Sequence, residues 1–342
     1  MKTRNILAPA IALAAIASAP AVAADANAFK DKTMKIVIPY GPGGTYDLYG
    51  QTFAKHLGRF LPGNPNVIVV HMPGAGGSKA MNWAYNVMPK DGLNAVTPLD
   101  NSVINQLMQP DKMRYDARKY TWLGSSNQTN LVMVIRSDTG VMSMADMKKK
   151  ELIGSAAGTT DTSFIGSRLA AGLLGFKVKM VPGYKGSNAA IFAIEQGEAH
   201  FAMYNWLAWA SRNAWFKGDK PFVRPVLQIG FFKDPDLSAD VPMLSDLVKD
   251  PEGLKVVNFI ASLGVLGRGL AVPPGVSDDM VKTLRAGYDA MNADKVFAED
   301  LKKRSLRLVP SSGAKIQEIV VAAIDGATPE VVAKAREIIY GK

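Results

Sequence analysis

Two stretches of this 342-residue chain hold residues that could grip or transform a small anion. One is Gly41-Pro42-Gly43-Gly44-Thr45-Tyr46-Asp47; the other is Ala157-Gly158-Thr159-Thr160-Asp161-Thr162-Ser163. Each joins small residues, whose backbone N–H groups lie open to approach, to side-chain hydroxyls. Each also stands between a strand-like run and a helical pattern. Its N–H groups therefore form the positive end of a helix dipole, which suits an anion. An ordinary Thr/Asp helix cap accounts for either turn alone; two such turns in two halves of one chain favour a ligand. A hydroxyl at a turn could instead be a nucleophile. However, no G-x-S-x-G elbow occurs, and no histidine shares a motif with a Ser or Thr. His56, His71 and His200 are far apart and in no ligand spacing, so each reads as a surface or turn residue and no metal site or cofactor is expected. The absence of cysteine removes thiol catalysis and thiolate ligation.

The elements that must position these residues alternate. Lys35–Tyr40 is strand-like, and Tyr49, Phe53, Leu57 and Leu61 then recur every fourth place, one face of a helix. Val67–Val70 repeats the design, with Pro73-Gly74-Ala75-Gly76-Gly77 as turn and Ser78 as cap. Lys79 gives that turn a faint likeness to a phosphate loop, but the G-x-x-x-x-G-K-[ST] spacing is missing and Ala80 stands where Mg²⁺ would need a hydroxyl. Small residues for close helix–strand packing explain it better. Leu93–Leu99, Leu131–Ile135, Leu152–Ala156, Lys177–Val181, Ala199–Tyr204 and Pro225–Ile229 read as further strands. Ser143 caps a helix bearing a lysine run, Gly175 stops the helix that opens at Phe164, and Val256–Val265 reads as apolar and extended. Alternation of this kind gives an α/β fold with a largely parallel sheet, and the length suits two lobes. Ligands in such sheets sit beyond the carboxyl ends of strands, which makes Tyr204, Asn205 and Trp206 candidates for a binding wall, against a plain core role for the aromatics.

Lys2 and Arg4, the apolar run Ile6–Ile16 and the small residues up to Ala24 have the pattern of a cleaved export signal, residues 1–24. The formal charge is +10; without Lys2 and Arg4 it is +8, which favours anionic partners. Nucleic acid is not expected among them. The dense basic runs, Lys148–Lys150 and Lys302–Arg304, lack the interleaved aromatics of a stacking platform and read as solvated helix faces.

Together these residues resemble the extracytoplasmic solute receptors of tripartite tricarboxylate transporters, the Bug family. IVIPYGPGGTYD is similar to the family's first-strand motif at Pro42-Gly43-Gly44 and Asp47, and VHMPGAGGSKAMNWAYNVMPKDGLN to its P-G-A-G-G … D-G block, with His71 where Asn is usual. GSAAGTTDTSFI, VPGYKGSNAAIFAIEQGEAHFAM, DVPMLSDL and LAVPPGVSDDMVKTLRAGYDAM resemble later blocks, and Gly158-Thr159-Thr160-Asp161 departs from the family's shorter second turn. The resemblance implies a two-lobed periplasmic binding protein of type II topology. It has one discontinuous lobe (33–127 plus 263–342), a second lobe (128–262), and crossings near Gly124–Asn130 and Phe259–Gly267. It implies a monomer that closes on a small carboxylate, di- or aromatic, and delivers it to membrane permease subunits, without catalysis. Gly43, Gly44, Thr45 and Tyr46 would hold one end of the ligand, with Asp47 bracing its own loop and Tyr40 supplying a flat wall. Gly158, Thr159, Thr160 and Thr162 would hold the other end, and Tyr204 and Asn205 would form a wall. Whether Arg136 or Arg268 reaches the cleft stays open in the sequence.

Overall fold

Strand β1 (Thr33–Ile38) is followed by α1 (Thr45–Leu57), β2 (Asn66–His71), α2 (Ser78–Asn86), β3 (Asn94–Val96), α3 (Ser102–Met108) and β4 (Thr121–Ser125). The chain then builds a second sheet from β5 (Leu131–Arg136), β6 (Leu152–Ala156), α4 (Thr162–Leu174), β7 (Val178–Pro182), α5 (Ser187–Glu195), β8 (Phe201–Asn205), α6 (Trp206–Ala210) and β9 (Val223–Ile229). It goes back through α7 (Leu244–Leu247), α8 (Pro251–Ala261) and α9 (Leu263–Leu266) into β10 (Gly269–Val272), and ends with α10 (Asp278–Ala293), α11 (Lys295–Lys303), β11 (Ser311–Ser312), α12 (Gly313–Asp325) and α13 (Pro329–Tyr340). This computed structural model describes residues 28–210 and 212–341, so the expected export signal lies outside the described residues. Among the described residues no helix is long and apolar enough to cross a membrane.

The first sheet has the order β11-β4-β10-β3-β1-β2, the second β7-β6-β8-β5-β9. β1 runs parallel to β2 and β3, and β6 parallel to β7 and β8. The strands that have just crossed between sheets break the pattern. β5 is antiparallel to β8 and β9, and β10 is antiparallel to β3 and β4. This exchange of one antiparallel strand each way is the type II arrangement of a two-lobed α/β protein. The two passages, residues 126–130 and 262–268, run side by side. Ser126 N–H donates to Arg268 O at 2.8 Å, and Arg268 N–H donates to Asn127 Oδ1 at 2.8 Å. At Gly267 (φ +56°) a Cβ would fall 1.7 Å from Asn127 O, so the close approach of the passages requires glycine there.

One apolar cluster covers the first sheet and two cover the faces of the second, one of them built on Val132, Val134 and Ile191. Tyr49, Phe53 and Leu57 of α1 are buried against the first sheet, each contributing roughly 1.5–3 kcal/mol. Leu131, Met133 and Ile135 of β5 join Ile165 and Leu169 of α4 in the second. Ala335 and Ile339 of the last helix, α13, are buried in that second core as well. Three local expectations change. Val256 and its neighbours form helix α8 instead of an extended run, because Asp250 caps it, Pro251 starts it, and Val256, Val257 and Ile260 make one buried face. The lysine run after Ser143 is a single 3₁₀ turn, Asp146–Lys149. His56 is buried on α1, its Nε2 2.8 Å from Asp300 Oδ2, so it is a packing residue and not a surface one.

Candidate functional site

The carboxyl end of β1, the start of α1, the start of α4 and the end of β8 converge on one enclosed cavity between the two sheets. It is lined by Tyr40, Thr45 and Tyr46 from one side and Asp161, Thr162, Ser187, Tyr204 and Asn205 from the other, with Arg268 from the second passage. Its volume is about 10 Å³, room for about one water molecule, so the two sides stand closed on each other.

Arg268 organises the first side. It is 4% exposed, and its guanidinium carbon stands 3.7 Å over the centre of the Tyr46 ring. Nη1 donates to Asp100 Oδ2 at 2.9 Å and to Gly267 O at 3.1 Å, while Nε and Nη2 donate to Thr45 Oγ1 at 3.2 and 3.0 Å. A guanidinium has five N–H donors, so one Nη2 hydrogen is uncommitted among these contacts. Burial works against the charge, but Tyr46 and Asp100 hold the Arg268 pKa above its ordinary value. Tyr46 in turn accepts a hydrogen bond from Asp100 N–H at 2.9 Å, and its ring is 5.0 Å from that of Tyr40.

The second side carries Asp161, the N-cap of α4, whose Oδ1 accepts from Ser163 N–H at 3.1 Å. Burial pushes its carboxyl up to about 7, against the lowering effect of the Ala157 and Ser163 backbone N–H groups. Beside it, the Tyr204 hydroxyl faces the Asp161 carboxyl, and both side-chain atoms of Asn205 are buried without a hydrogen-bond partner. Each such orphan costs about 1–3 kcal/mol; Asn101 Oδ1, Asn105 Oδ1, Asn127 Nδ2, Ser167 Oγ, Trp209 Nε1 and Arg224 Nε are orphaned elsewhere, and what distinguishes Asn205 is that it lines the cavity.

The remaining residues singled out in the sequence lie around the cavity without lining it. Gly43 (φ +85°) shapes the turn; its N–H donates to Asp47 Oδ2 at 2.8 Å, and Asp47 Oδ1 is 2.7 Å from His71 Nε2. A Cβ at Gly44 would stand 2.8 Å from Ser187 Oγ. Gly158, Thr159 and Thr160 are spent on contacts that join the two sides. Thr160 Oγ1 donates to Ala75 O at 2.8 Å and accepts from Ser78 Oγ at 3.1 Å, and Thr160 O accepts from Asn101 and Asn105 at 2.5 and 3.0 Å. Thr159 O accepts from Tyr340 Oη at 3.2 Å, and a Cβ at Gly158 would lie 2.6 Å from Gly76 N. Arg136 lies elsewhere, its Nε donating to Asp138 Oδ1 at 3.0 Å. Trp206 packs edge-on against Phe216. Asp161, Ser187, Ala208 and Arg268 line the cavity without having been singled out as ligand residues. For Asp161 the signal was present, since it is the N-cap of the second turn. Larger openings, about 420 Å³ beside Tyr340 and about 640 Å³ between α8 and α13, gather no orphaned buried polar atoms and are not the better candidates.

Fold and cavity together define a two-lobed α/β protein of type II topology with a small cavity at the junction of the lobes. The sequence matches no protein-family model and no curated protein. Among solved structures the fold is similar to that of the periplasmic binding protein BugD (TM-score 0.70, 16% identity, 91% of this chain and 98% of that one). It is similar to a protein from R. palustris solved with adipate (0.70, 19%, 89% and 97%) and to MatC from Rhodopseudomonas palustris with bound malate (0.69, 16%, 90% and 98%).

Proposed function

We propose that this protein is an extracytoplasmic solute receptor that closes its two lobes on a small carboxylate and passes it to membrane permease subunits of the tripartite tricarboxylate type. The observation that carries the reading is the cavity wall itself. A buried Arg268 with an uncommitted N–H stands across from the orphaned Asn205 amide, with the Tyr204 hydroxyl between them. Charge-assisted hydrogen bonds of this kind contribute roughly 1.5–3 kcal/mol each, and a few suffice for a dissociation constant of about 1 μM. Thr45, Tyr46 and Arg268 hold the carboxylate, Tyr40 and Tyr204 flank it, and Thr162 and Asn205 close over it. Gly43, Gly44 and Asp47 keep the first turn in shape. Gly158, Thr159 and Thr160 latch the lobes.

In this reading the lobes are residues 33–127 with 263–342, and 128–262, with α13 reaching across to pack on the second lobe, and the paired passages are the hinge. The adipate and malate bound by the similar structures support a carboxylate. The export-signal pattern and the periplasmic neighbours support a periplasmic location. Nothing in the cavity pairs a hydroxyl nucleophile with a histidine, which favours binding over hydrolysis. The test is thermal unfolding of the chain from Asp25 against mono-, di- and aromatic carboxylates, amino acids, sugars and inorganic anions. A carboxylate ligand raises the melting temperature in a dose-dependent way. Stabilisation by a sugar or a cation, with none by any carboxylate, overturns the reading.

A further inference from the structure

The turn that opens α4 has a second face. Asp161 and Thr162 line the central cavity, while Thr159 and Phe164 line a separate opening of about 420 Å³, a volume in the range of small-molecule sites. Its floor is apolar and adaptable. Met108 ends α3, Met180 stands on β7, and the rings of Phe164 and Tyr340 stack with centres 6.1 Å apart. Its charged groups are mostly cationic. Lys112 follows α3, Arg168 lies on α4 and Arg336 on α13, and among the described residues Asp111 is the one acid in the lining. None of these four forms a salt bridge among the described residues. Arg168 spends its Nε on Ile339 O at 3.1 Å, which leaves the rest of its fork to the opening. Lys112 belongs to the first proposed lobe, whereas Arg168 belongs to the second and Arg336 to the helix packed on its core. Closure therefore brings like charges from two sides to one apolar pocket, and an anion between them offsets their repulsion.

We propose that this opening is an effector site for a small amphipathic anion, an apolar body ending in a carboxylate, sulfate or sulfonate, and that its occupation favours the closed lobes. The head group pairs with Lys112, Arg168 and Arg336, and the body lies on Met108, Met180 and Phe164. Tyr340 connects this site to the central cavity. Its hydroxyl accepts from Gln109 Nε2 at 2.6 Å and donates to Thr159 O at 3.2 Å, so α3, α13 and the turn ahead of Asp161 meet at one atom. Opening the lobes parts Lys112 from the two arginines, so the anion binds the closed form best. The coupling is reciprocal: the effector tightens carboxylate binding by the same factor by which the carboxylate tightens the effector's. This coupling rests on the hinged-receptor reading; the site itself does not.

The experiment titrates the chain from Asp25 with octyl sulfate by calorimetry and with anilinonaphthalene sulfonate by fluorescence, an aliphatic and an aromatic probe, with octanol and octylammonium as controls. Saturable binding of at least one probe is expected, at least tenfold tighter than that of either control. Lys112→Glu and Arg336→Glu change side chains that make no hydrogen bond among the described residues. Each weakens the probe at least tenfold without lowering the ligand-free melting temperature. With the probe saturating, the carboxylate that raises the melting temperature binds at least fivefold tighter. Tyr340→Phe still binds the probe but loses most of that gain. A probe that the carboxylate displaces sits in the central cavity and overturns the inference. So do equal binding of octanol, binding that neither charge reversal weakens, and a carboxylate affinity that the saturating probe leaves unchanged; each of these leaves the carboxylate receptor standing. If no carboxylate binds under any condition, the receptor reading falls instead, and the probe titrations with Lys112→Glu and Arg336→Glu still decide the site.

Discussion

Arg268 and Asp161 decide the chemistry of the cavity, and their effects on stability are opposite in kind. Arg268→Gln leaves Asp100 buried without its cation and strips two hydrogen bonds from Thr45. The expected loss is about 3–5 kcal/mol in denaturant unfolding, together with loss of carboxylate binding. Arg268→Lys keeps the charge but not the fork, and it recovers only part of both. Asp161 is a carboxyl whose folded-state pKa is raised. It binds a proton in the folded state between about pH 4 and 7 that it has lost in the unfolded state. Its contribution is thus fully present below pH 4 and disappears as pH climbs to 7. Ligand-free Asp161→Asn should match the wild type near pH 4 and exceed it at pH 8 by on the order of 1–3 kcal/mol, read from chemical denaturation at each pH. At this scale the sequence was partly legible. Tyr40, Thr45, Tyr46, Thr162, Tyr204 and Asn205 were visible because turns after strands and strand ends are where sites form. Arg268 and Arg136 were equal alternatives until the second chain passage brought Arg268 back across 223 residues onto Thr45.

Among the elements, the second turn has a different use from the one its composition suggests. Thr159 and Thr160 looked like ligand donors, yet their polar atoms meet Ala75, Ser78, Asn101, Asn105, Gln109 and Tyr340. A run of hydroxyls at a helix start does not say whether it faces a ligand or another lobe; only the packing of α3 and α13 against the turn settles that. Gly76 (φ +63°) tightens the same contact, since a Cβ there would stand 2.4 Å from Thr160 Oγ1. Gly76→Val should therefore hold the lobes apart, because it adds both strain and a clash. Small-angle scattering should show a larger radius of gyration that carboxylate no longer reduces, with ligand affinity at least tenfold weaker. Thr160→Ala is milder, costing the closed form about 1 kcal/mol and roughly fivefold in affinity. The strands and most helices were legible from periodicity. Val256–Val265 was not, because a short apolar run with neighbouring glycines fits a buried helix and a strand equally well.

For the whole molecule, separate sheets joined by paired passages are what a hinge requires, and type II strand exchange follows from the chain crossing once each way. The sequence carried this only through resemblance, since no local pattern announces that β5 and β10 belong to the sheet across the hinge. α13 was also invisible as a link: it follows the first lobe's helices in sequence but buries Ala335 and Ile339 in the second core. The central claim, that a carboxylate closes these lobes on itself, can be measured directly because the chain has no native cysteine. Val87 and Phe192, which are 63% and 53% exposed, belong to the first and second proposed lobes. Each replaced by cysteine and labelled, they report the distance between lobes by energy transfer. Titration with the carboxylate that raises the melting temperature should change the transfer efficiency in one saturable step, at the same midpoint as calorimetric binding, and Arg268→Gln should abolish the step. Saturable binding of that carboxylate with no change in transfer efficiency in either protein would place the ligand outside the cleft and contradict the account.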